Sequence, residues 1–289
     1  MKALQFTNGQ VNVADVPIPS RQEEALVRVL LSGICNTDLE IAKGYAGFEG
    51  TLGHEFVGIV DKAPEGSDLE GKRVVGEINA GCGNCPLCRA KDPRHCLART
   101  VLGIHGRDGA HAEFLSLPTE NLIPVPDTVS DEQAVFIEPL AAAYGIYEQV
   151  PLAHHTRVAI IGDGKLGLLT ALSYGATSSN ALLVGKHKEK LAIAEAAGVA
   201  TCLLSELDTS AQRTFDVVVE ASGSESGFAT ALDLVRPRGK IVLKSTFSGE
   251  PKWAASRVVV DEITIVGSRC GRFEPALKLL ERANSIFRR

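Results

Sequence analysis

The spacing of apolar residues divides the chain into two styles. Up to about residue 130 they come in short runs, broken by glycine and proline: Ala25-Leu-Val-Arg-Val-Leu-Leu, Glu55-Phe-Val-Gly-Ile-Val and Lys72-Arg-Val-Val-Gly-Glu. Runs of this length predict short strands in an irregular β-rich domain. At Ser130 the pattern changes. A capping serine precedes Asp131-Glu-Gln-Ala-Val-Phe-Ile-Glu-Pro, and Leu140-Ala-Ala-Ala-Tyr-Gly-Ile-Tyr continues at helical spacing. Beyond it, Arg157-Val-Ala-Ile-Ile-Gly, Ala181-Leu-Leu-Val-Gly, Phe215-Asp-Val-Val-Val-Glu, Lys240-Ile-Val-Leu-Lys and Ile263-Thr-Ile-Val-Gly are almost continuously apolar. Such runs mark strands buried on both faces. Helical stretches at His187–Ala197 and Gly227–Val235 separate some of them. The expected fold class is α/β: a β-rich domain followed by a doubly wound parallel sheet.

Composition narrows the partners. A chain of 289 residues with 45% hydrophobic content supports two cores, and a net charge of −5 supplies no basic field for nucleic acid or an anionic membrane. A small molecule is the expected partner. The opening residues contain no apolar stretch of signal-peptide length, and no later run approaches bilayer-spanning length. With seven cysteines, four of them clustered, the expected compartment is a reducing cytoplasm.

That cluster is Cys82-Gly-Asn-Cys85-Pro-Leu-Cys88 followed by Cys96, a spacing that lets four thiolates close a tetrahedron around one zinc ion. A closed four-sulfur site has no open position. It is structural, and the chemistry lies elsewhere. The competing readings are reduced surface thiols or a pair of disulfides.

Gly162-Asp-Gly164-Lys165-Leu166-Gly167 follows an apolar strand and opens a helix, the context in which a glycine-rich turn and a helix N-terminus cradle a pyrophosphate. About 20 residues on, dinucleotide folds carry an acid for the adenosine ribose. Here Val184 is followed by Gly185, Lys186, His187 and Lys188. A glycine leaves room for a 2′-phosphate and the basic trio can neutralise it, so NADP is expected over NAD, with Arg236 or Arg238 as further candidates. The alternative is a solvated helix start with incidental lysines. Upstream, Gly33-Ile-Cys35-Asn-Thr37-Asp38 supplies a soft ligand with a hydroxyl two positions on, and Gly53-His54-Glu55 sets an imidazole beside a carboxylate.

Taken in order, these motifs and Ile137-Glu138-Pro139-Leu140 resemble the zinc-containing medium-chain dehydrogenase/reductase family of alcohol, polyol, glucose and threonine dehydrogenases. The resemblance implies a GroES-like catalytic domain over 1–139, with 271–289 as a remnant of its C-terminal part, and a Rossmann domain over 140–270. It implies two zinc ions per chain. The catalytic one would be bound by Cys35, His54 and Glu138, with Glu55 able to ligate directly or through water. Thr37 would pass the proton from the substrate hydroxyl, Asp38 would orient His54, and Glu40 stands where some members carry a relay histidine. The implied reaction moves a hydride between an alcohol or polyol and NADP or NAD, in a homodimer or homotetramer joined through Ile263-Thr-Ile-Val-Gly. Relatives of this kind continue for several dozen residues past this chain's last segment, so an exposed apolar face and weakened activity, or a covering partner, are expected. The alternative is a non-catalytic nucleotide- and zinc-binding relative. Tyr45, Phe48 and Leu115 are candidate pocket residues or core; His154 reads as a linker turn and Trp253 as a surface or interface aromatic.

Overall fold

The computed structural model describes residues 1–20, 23–153, 155–175, 180–245 and 254–282. His154, Trp253 and the segment 285–289 lie outside the described residues. The chain forms two compact units, Met1–Glu138 together with the segment from Arg272, and Pro139–Gly271.

The first unit is built on antiparallel strands. Its central sheet has five, in the order Phe114–Leu117, Ala25–Gly33, Glu55–Lys62, Arg73–Gly76 and Leu122–Pro124. Three were expected from their apolar runs. The outer two are only three or four residues long, too short for alternation to register. Val27, Phe56, Val57, Val60, Val74, Leu115 and Leu117 are buried along this sheet. The register pairs Gly33 with Glu55, which brings the ends of two expected ligand motifs side by side. A smaller sheet pairs Lys2–Thr7 with Gln10–Asp15 and with Gly50–Thr51, and packs Phe6, Ile41, Phe48 and Leu52 into a cluster that Tyr45 joins. Phe48 and Leu115 are therefore buried core residues, and Tyr45 packs against the core.

The second unit carries strands β1 (Val158–Ile161), β2 (Ala181–Gly185), β3 (Ala200–Leu203), β4 (Phe215–Glu220), β5 (Val235–Leu243) and β6 (Thr264–Gly267). All pairs are parallel, in the order β3-β2-β1-β4-β5-β6. Ile160, Val217 and Val219 face one cluster with Tyr174, Leu183 and Leu191, while Ala159, Ile161 and Val218 face another with Phe228, Leu232 and Leu234. Burial on both faces is why these strands read as unbroken apolar runs. Helices α1 (Lys165–Gly175), α2 (Lys188–Ala196) and α3 (Glu225–Leu234) connect them. The strand order reverses beside β1, so the carboxyl ends of β1 and β4 flank the switch point at which such sheets take ligands.

Two elements differ from the sequence pattern. The helix expected to run through Val235 stops at Leu234, and β5 begins at once: its pairing with β4 jumps from Phe215–Val235 to Val217–Lys240, so Arg236–Gly239 bulge out. A bulge accommodates Pro237 and Gly239, which a regular strand interior disfavours. The helical stretch after Ser130 is three pieces, Asp131–Ala134, Ile137–Tyr144 and Ile146–Gln149. Ser130 caps the first, its hydroxyl accepting the Gln133 N–H at 3.3 Å while Gln133 Oε1 accepts the Ser130 N–H at 3.1 Å.

Candidate functional site

Cys35, His54 and Glu55 form a cluster in the first unit, each offering a ligand atom within 4.8 Å of the others. Cys35 precedes the helix Asn36–Ile41, and Asp38 on its first turn accepts the Cys35 N–H at 2.8 Å, which fixes the backbone that carries the sulfur. His54 and Glu55 stand where the central strand Glu55–Lys62 begins. Asp38 does more than cap. Its buried carboxylate accepts the Gly53 N–H at 3.2 Å and faces His54 Nδ1 at 3.4 Å and His111 Nε2 at 3.6 Å. Burial pushes this carboxyl up, yet the two imidazoles and the Cys35 N–H outweigh it and hold it well below the usual carboxylate range. His54 is the mirror case: burial pushes the imidazole down, while Asp38, Cys35 and Glu138 together raise it well above its ordinary value. An imidazole held this way sits in a pocket that asks for positive charge. With Nδ1 toward Asp38, Nε2 is left for a metal, and a sulfur, an imidazole and a carboxylate make the donor set of an open zinc site.

Glu138 lies on the first turn of the helix Ile137–Tyr144 and acts electrostatically on His54, but it is outside the 4.8 Å cluster, whose carboxylate is Glu55. The resemblance implies Glu138 as the third ligand, with Glu55 able to ligate directly or through water; of the two, Glu55 is the one within the 4.8 Å cluster. Thr37 Oγ1 is 3.7 Å from Cys35 Sγ, within the same site, and Glu40, its side chain largely buried, is paired with Lys43 at 2.9 Å.

His111 had no motif to announce it. Its Nδ1 lies 2.9 Å from Ser32 Oγ, and it reaches Asp38 because residues 109–111 run along 51–53, with Gly109, Ala110 and His111 N–H groups donating to Thr51, Gly53 and Leu52 carbonyls at 2.8 Å each. Gly53, at φ +96°, permits this: a Cβ there would stand 2.7 Å from the His111 backbone nitrogen and ring. The only sequence signal was the glycine on either side of the contact.

The four sulfurs of Cys82, Cys85, Cys88 and Cys96 also lie within 4.8 Å of one another, against about 3.8 Å for sulfurs sharing a tetrahedral zinc with bonds of about 2.3 Å. The lobe enters and leaves through paired strands, Asn79 against Val101 and Ala80 against Thr100. The Asn84 and Cys85 N–H groups bring the Cys82 thiol down to about 6, whereas partial burial and the neighbouring sulfurs push Cys88 up to about 11. Four thiols at this spacing ionise together only around a cation. They fit zinc, and none of them is in a disulfide.

In the second unit Gly162 follows β1 and Lys165 and Leu166 begin α1, with Gly167 so close that a Cβ would overlap the Gly162 carbonyl oxygen. The close strand–helix approach suits a pyrophosphate loop. At the end of β2 the room expected beside Gly185 is taken. A Cβ on Gly185 would meet Asp163 Cβ at 2.6 Å and Oδ2 at 2.7 Å. Asp163 Oδ2 accepts the Lys186 and His187 N–H groups at 2.7 and 2.6 Å and faces His187 Nδ1 at 3.0 Å. The expectation that no acid stands here fails because the acid comes from the glycine loop. Lys186, His187 and Lys188 are exposed. Arg236 pairs with Asp216 at 2.7 Å and Arg238 with Glu262 at 3.5 Å, so both have partners within the fold.

Comparison with known proteins agrees with this layout. Residues 21–127 match the family model of the alcohol dehydrogenase GroES-like domain, and residues 164–284 match that of the zinc-binding dehydrogenases. The L-threonine 3-dehydrogenase of Streptomyces coelicolor is 31% identical over 288 residues, covering 92% of this chain and 83% of that protein. Among solved structures, the alcohol dehydrogenase RspB of Escherichia coli CFT073, complexed with NADH, superposes with a TM-score of 0.88 at 25% identity, covering 98% of this chain and 88% of that one. A zinc-binding dehydrogenase of Sinorhizobium meliloti 1021 bound to NADP gives 0.87 at 28% identity, covering 98% and 89%.

Proposed function

The chain belongs to the zinc-dependent medium-chain dehydrogenases, and on that premise we propose that it interconverts a secondary alcohol or polyol and its carbonyl with a nicotinamide dinucleotide. The observation that carries the reading is the Cys35–His54–Glu55 cluster with Asp38 buried behind it. Zinc bound there supplies a Lewis acid for the substrate oxygen, and the nicotinamide supplies the hydride acceptor.

The chain's own residues do the rest. Cys35, His54 and a carboxylate hold the metal; the proximity of Glu55 supports it as third donor, and Glu138 adds a second carboxylate to the same surroundings. Asp38 keeps the proton on His54 Nδ1 and so turns Nε2 to the metal side. Thr37, beside the Cys35 sulfur, relays the proton that leaves the substrate hydroxyl, accepting it while giving up its own toward the cofactor ribose. Cys82, Cys85, Cys88 and Cys96 hold a second, structural zinc. The dinucleotide lies on the Gly162–Gly167 loop at the N-terminus of α1. The basic trio Lys186, His187 and Lys188 supports NADP; Asp163, beside it, opposes that form.

Retention of the full donor set speaks against a non-catalytic relative. A reducing cytoplasm is supported by seven free thiols, and among the described residues no helix is long and apolar enough to cross a membrane. Association through β6, which pairs only with β5 among the described residues, is the expected route to a homodimer or homotetramer, and sedimentation of a stable monomer at micromolar concentration would exclude it.

The decisive experiment joins metal analysis to turnover. Alcohols and polyols are screened by nicotinamide absorbance, with zinc counted in the unmodified protein and in Cys35→Ala. Two zinc ions and turnover, falling to one zinc and none in the variant, support the proposal. A zinc count unchanged in Cys35→Ala, or no turnover with any substrate or either cofactor, sinks it.

A further inference from the structure

We propose that Asp163, projecting from the glycine loop, is the carboxylate that reads the adenosine ribose in this chain and makes NAD(H) the preferred cofactor over NADP(H). The inference rests on the dinucleotide reading above and adds a specificity-determining residue to it.

Position is the first ground. In a doubly wound nucleotide fold the ribose hydroxyls meet an acid at the end of the second strand. Here that strand ends at Gly185, and the atoms a Cβ on Gly185 would strike are Asp163 Cβ, Oδ2 and Cγ, at 2.6, 2.7 and 2.9 Å. Asp163 thus fills the volume in which a side chain on residue 185 would start. The space beside the end of the second strand is filled by a carboxylate that comes from 22 positions earlier in the chain.

Fixation is the second. Oδ2 accepts the N–H groups of Lys186 and His187 and faces His187 Nδ1, so the carboxylate is held by the loop after β2 and is itself buried. Oδ1 has the longer contact alone, to His187 Nδ1 at 3.2 Å, and keeps capacity to accept a further hydrogen bond. A ribose hydroxyl has a proton to give it. A 2′-phosphate has none when fully ionised, brings negative charge to a fixed anion, and finds the two backbone N–H groups that could have received it already engaged.

The basic trio does not reverse this balance. Lys186 and Lys188 are exposed, so their charges are screened by water and salt, and the His187 side chain, about half exposed, has its Nδ1 turned to Asp163. A buried carboxylate at contact distance outweighs exposed ammonium groups that can turn away.

The test is binding, which does not depend on turnover: titration of the intact protein with NADH and with NADPH, read by nicotinamide fluorescence, for the unmodified chain, Asp163→Asn and Asp163→Ser. The unmodified chain binds NADH at least tenfold tighter than NADPH, and both variants move the ratio at least tenfold toward NADPH, chiefly by tightening NADPH. A ratio that favours NADPH or is even in the unmodified chain overturns the proposal, whether or not the variants fold. So does an unchanged ratio in a variant whose thermal melting shows it folded. Failure to bind either nucleotide overturns the dinucleotide reading itself, an outcome distinct from a wrong preference.

Discussion

Replacing Asp38 by asparagine preserves shape and removes charge, and the geometry sets the cost. Oδ2 receives the Cys35 N–H and lies nearest His111 Nε2; Oδ1 receives the Gly53 N–H and lies nearest His54 Nδ1. Each oxygen therefore accepts one backbone N–H and faces one imidazole nitrogen. Whichever way an asparagine turns, its NH2 group confronts a pair of N–H groups. Neither His54 Nδ1 nor His111 Nε2 has a hydrogen-bond partner beyond this carboxylate's charge. Turning an NH2 group against a buried backbone N–H and an imidazole N–H costs about 1–3 kcal/mol for each, so about 2–6 kcal/mol in all. That is a large part of the roughly 5–15 kcal/mol that stabilises a typical domain, and it lowers the melting temperature by roughly 10 °C. Zinc held through His54 weakens by about 10- to 100-fold, the usual effect of removing the group behind a ligand histidine. The assay is zinc retention during dialysis against graded chelator, with melting followed in parallel. The four-cysteine zinc serves as internal control, since Asp38 does not touch it. If Asp38→Asn retains both metals like the unmodified protein and melts within about 2 °C of it, the carboxylate is not what positions His54.

Cys88→Ala removes one of four sulfurs and should lower the zinc count by one, with lower thermal stability and the Cys35 site still loaded; elemental analysis of the purified variant checks it. Gly53→Ala drives a Cβ to 2.7 Å from the His111 backbone at φ +96°, a strain of about 1–3 kcal/mol, and should lower melting and loosen the same zinc as Asp38→Asn. Asp216 accepts the Arg157 N–H at 2.8 Å and the Arg236 Nε–H at 2.7 Å; burial pushes its carboxyl up, but these partners hold it below its ordinary value. A depressed carboxyl stabilises the fold fully above its unfolded value, about 3.9, and loses that contribution as pH falls through the folded one. The melting gap between the unmodified chain and Asp216→Asn should therefore be constant from about pH 6 to 8 and close below about pH 4; a gap that widens in acid contradicts the pairing.

What could be read in advance was whatever lay close in sequence. Cys35, Thr37 and Asp38 share one turn, His54 and Glu55 are adjacent, and the four cysteines fall within one loop, so spacing alone suggested their chemistry. The parallel strands were legible because burial on both faces leaves unbroken apolar runs. His111 and the short strands Phe114–Leu117 and Leu122–Pro124 were not, because their positions depend on pairing with distant segments. Asp163 was passed over for a related reason: its own motif gives the backbone path of the loop, but only the neighbouring strand shows where its side chain ends.

The mutual exclusion of Asp163 and a side chain at position 185 limits how this lineage can change by descent. Gly185→Asp in the present background drives the new Cβ into Asp163 and sets two carboxylates in one space, so the familiar arrangement of an acid on the second strand is not one substitution away. The reverse order, losing Asp163 first, leaves this corner with no carboxylate until residue 185 supplies one. The two positions therefore act as a single steric unit: a designer who chooses the residue at one has already restricted the choice at the other.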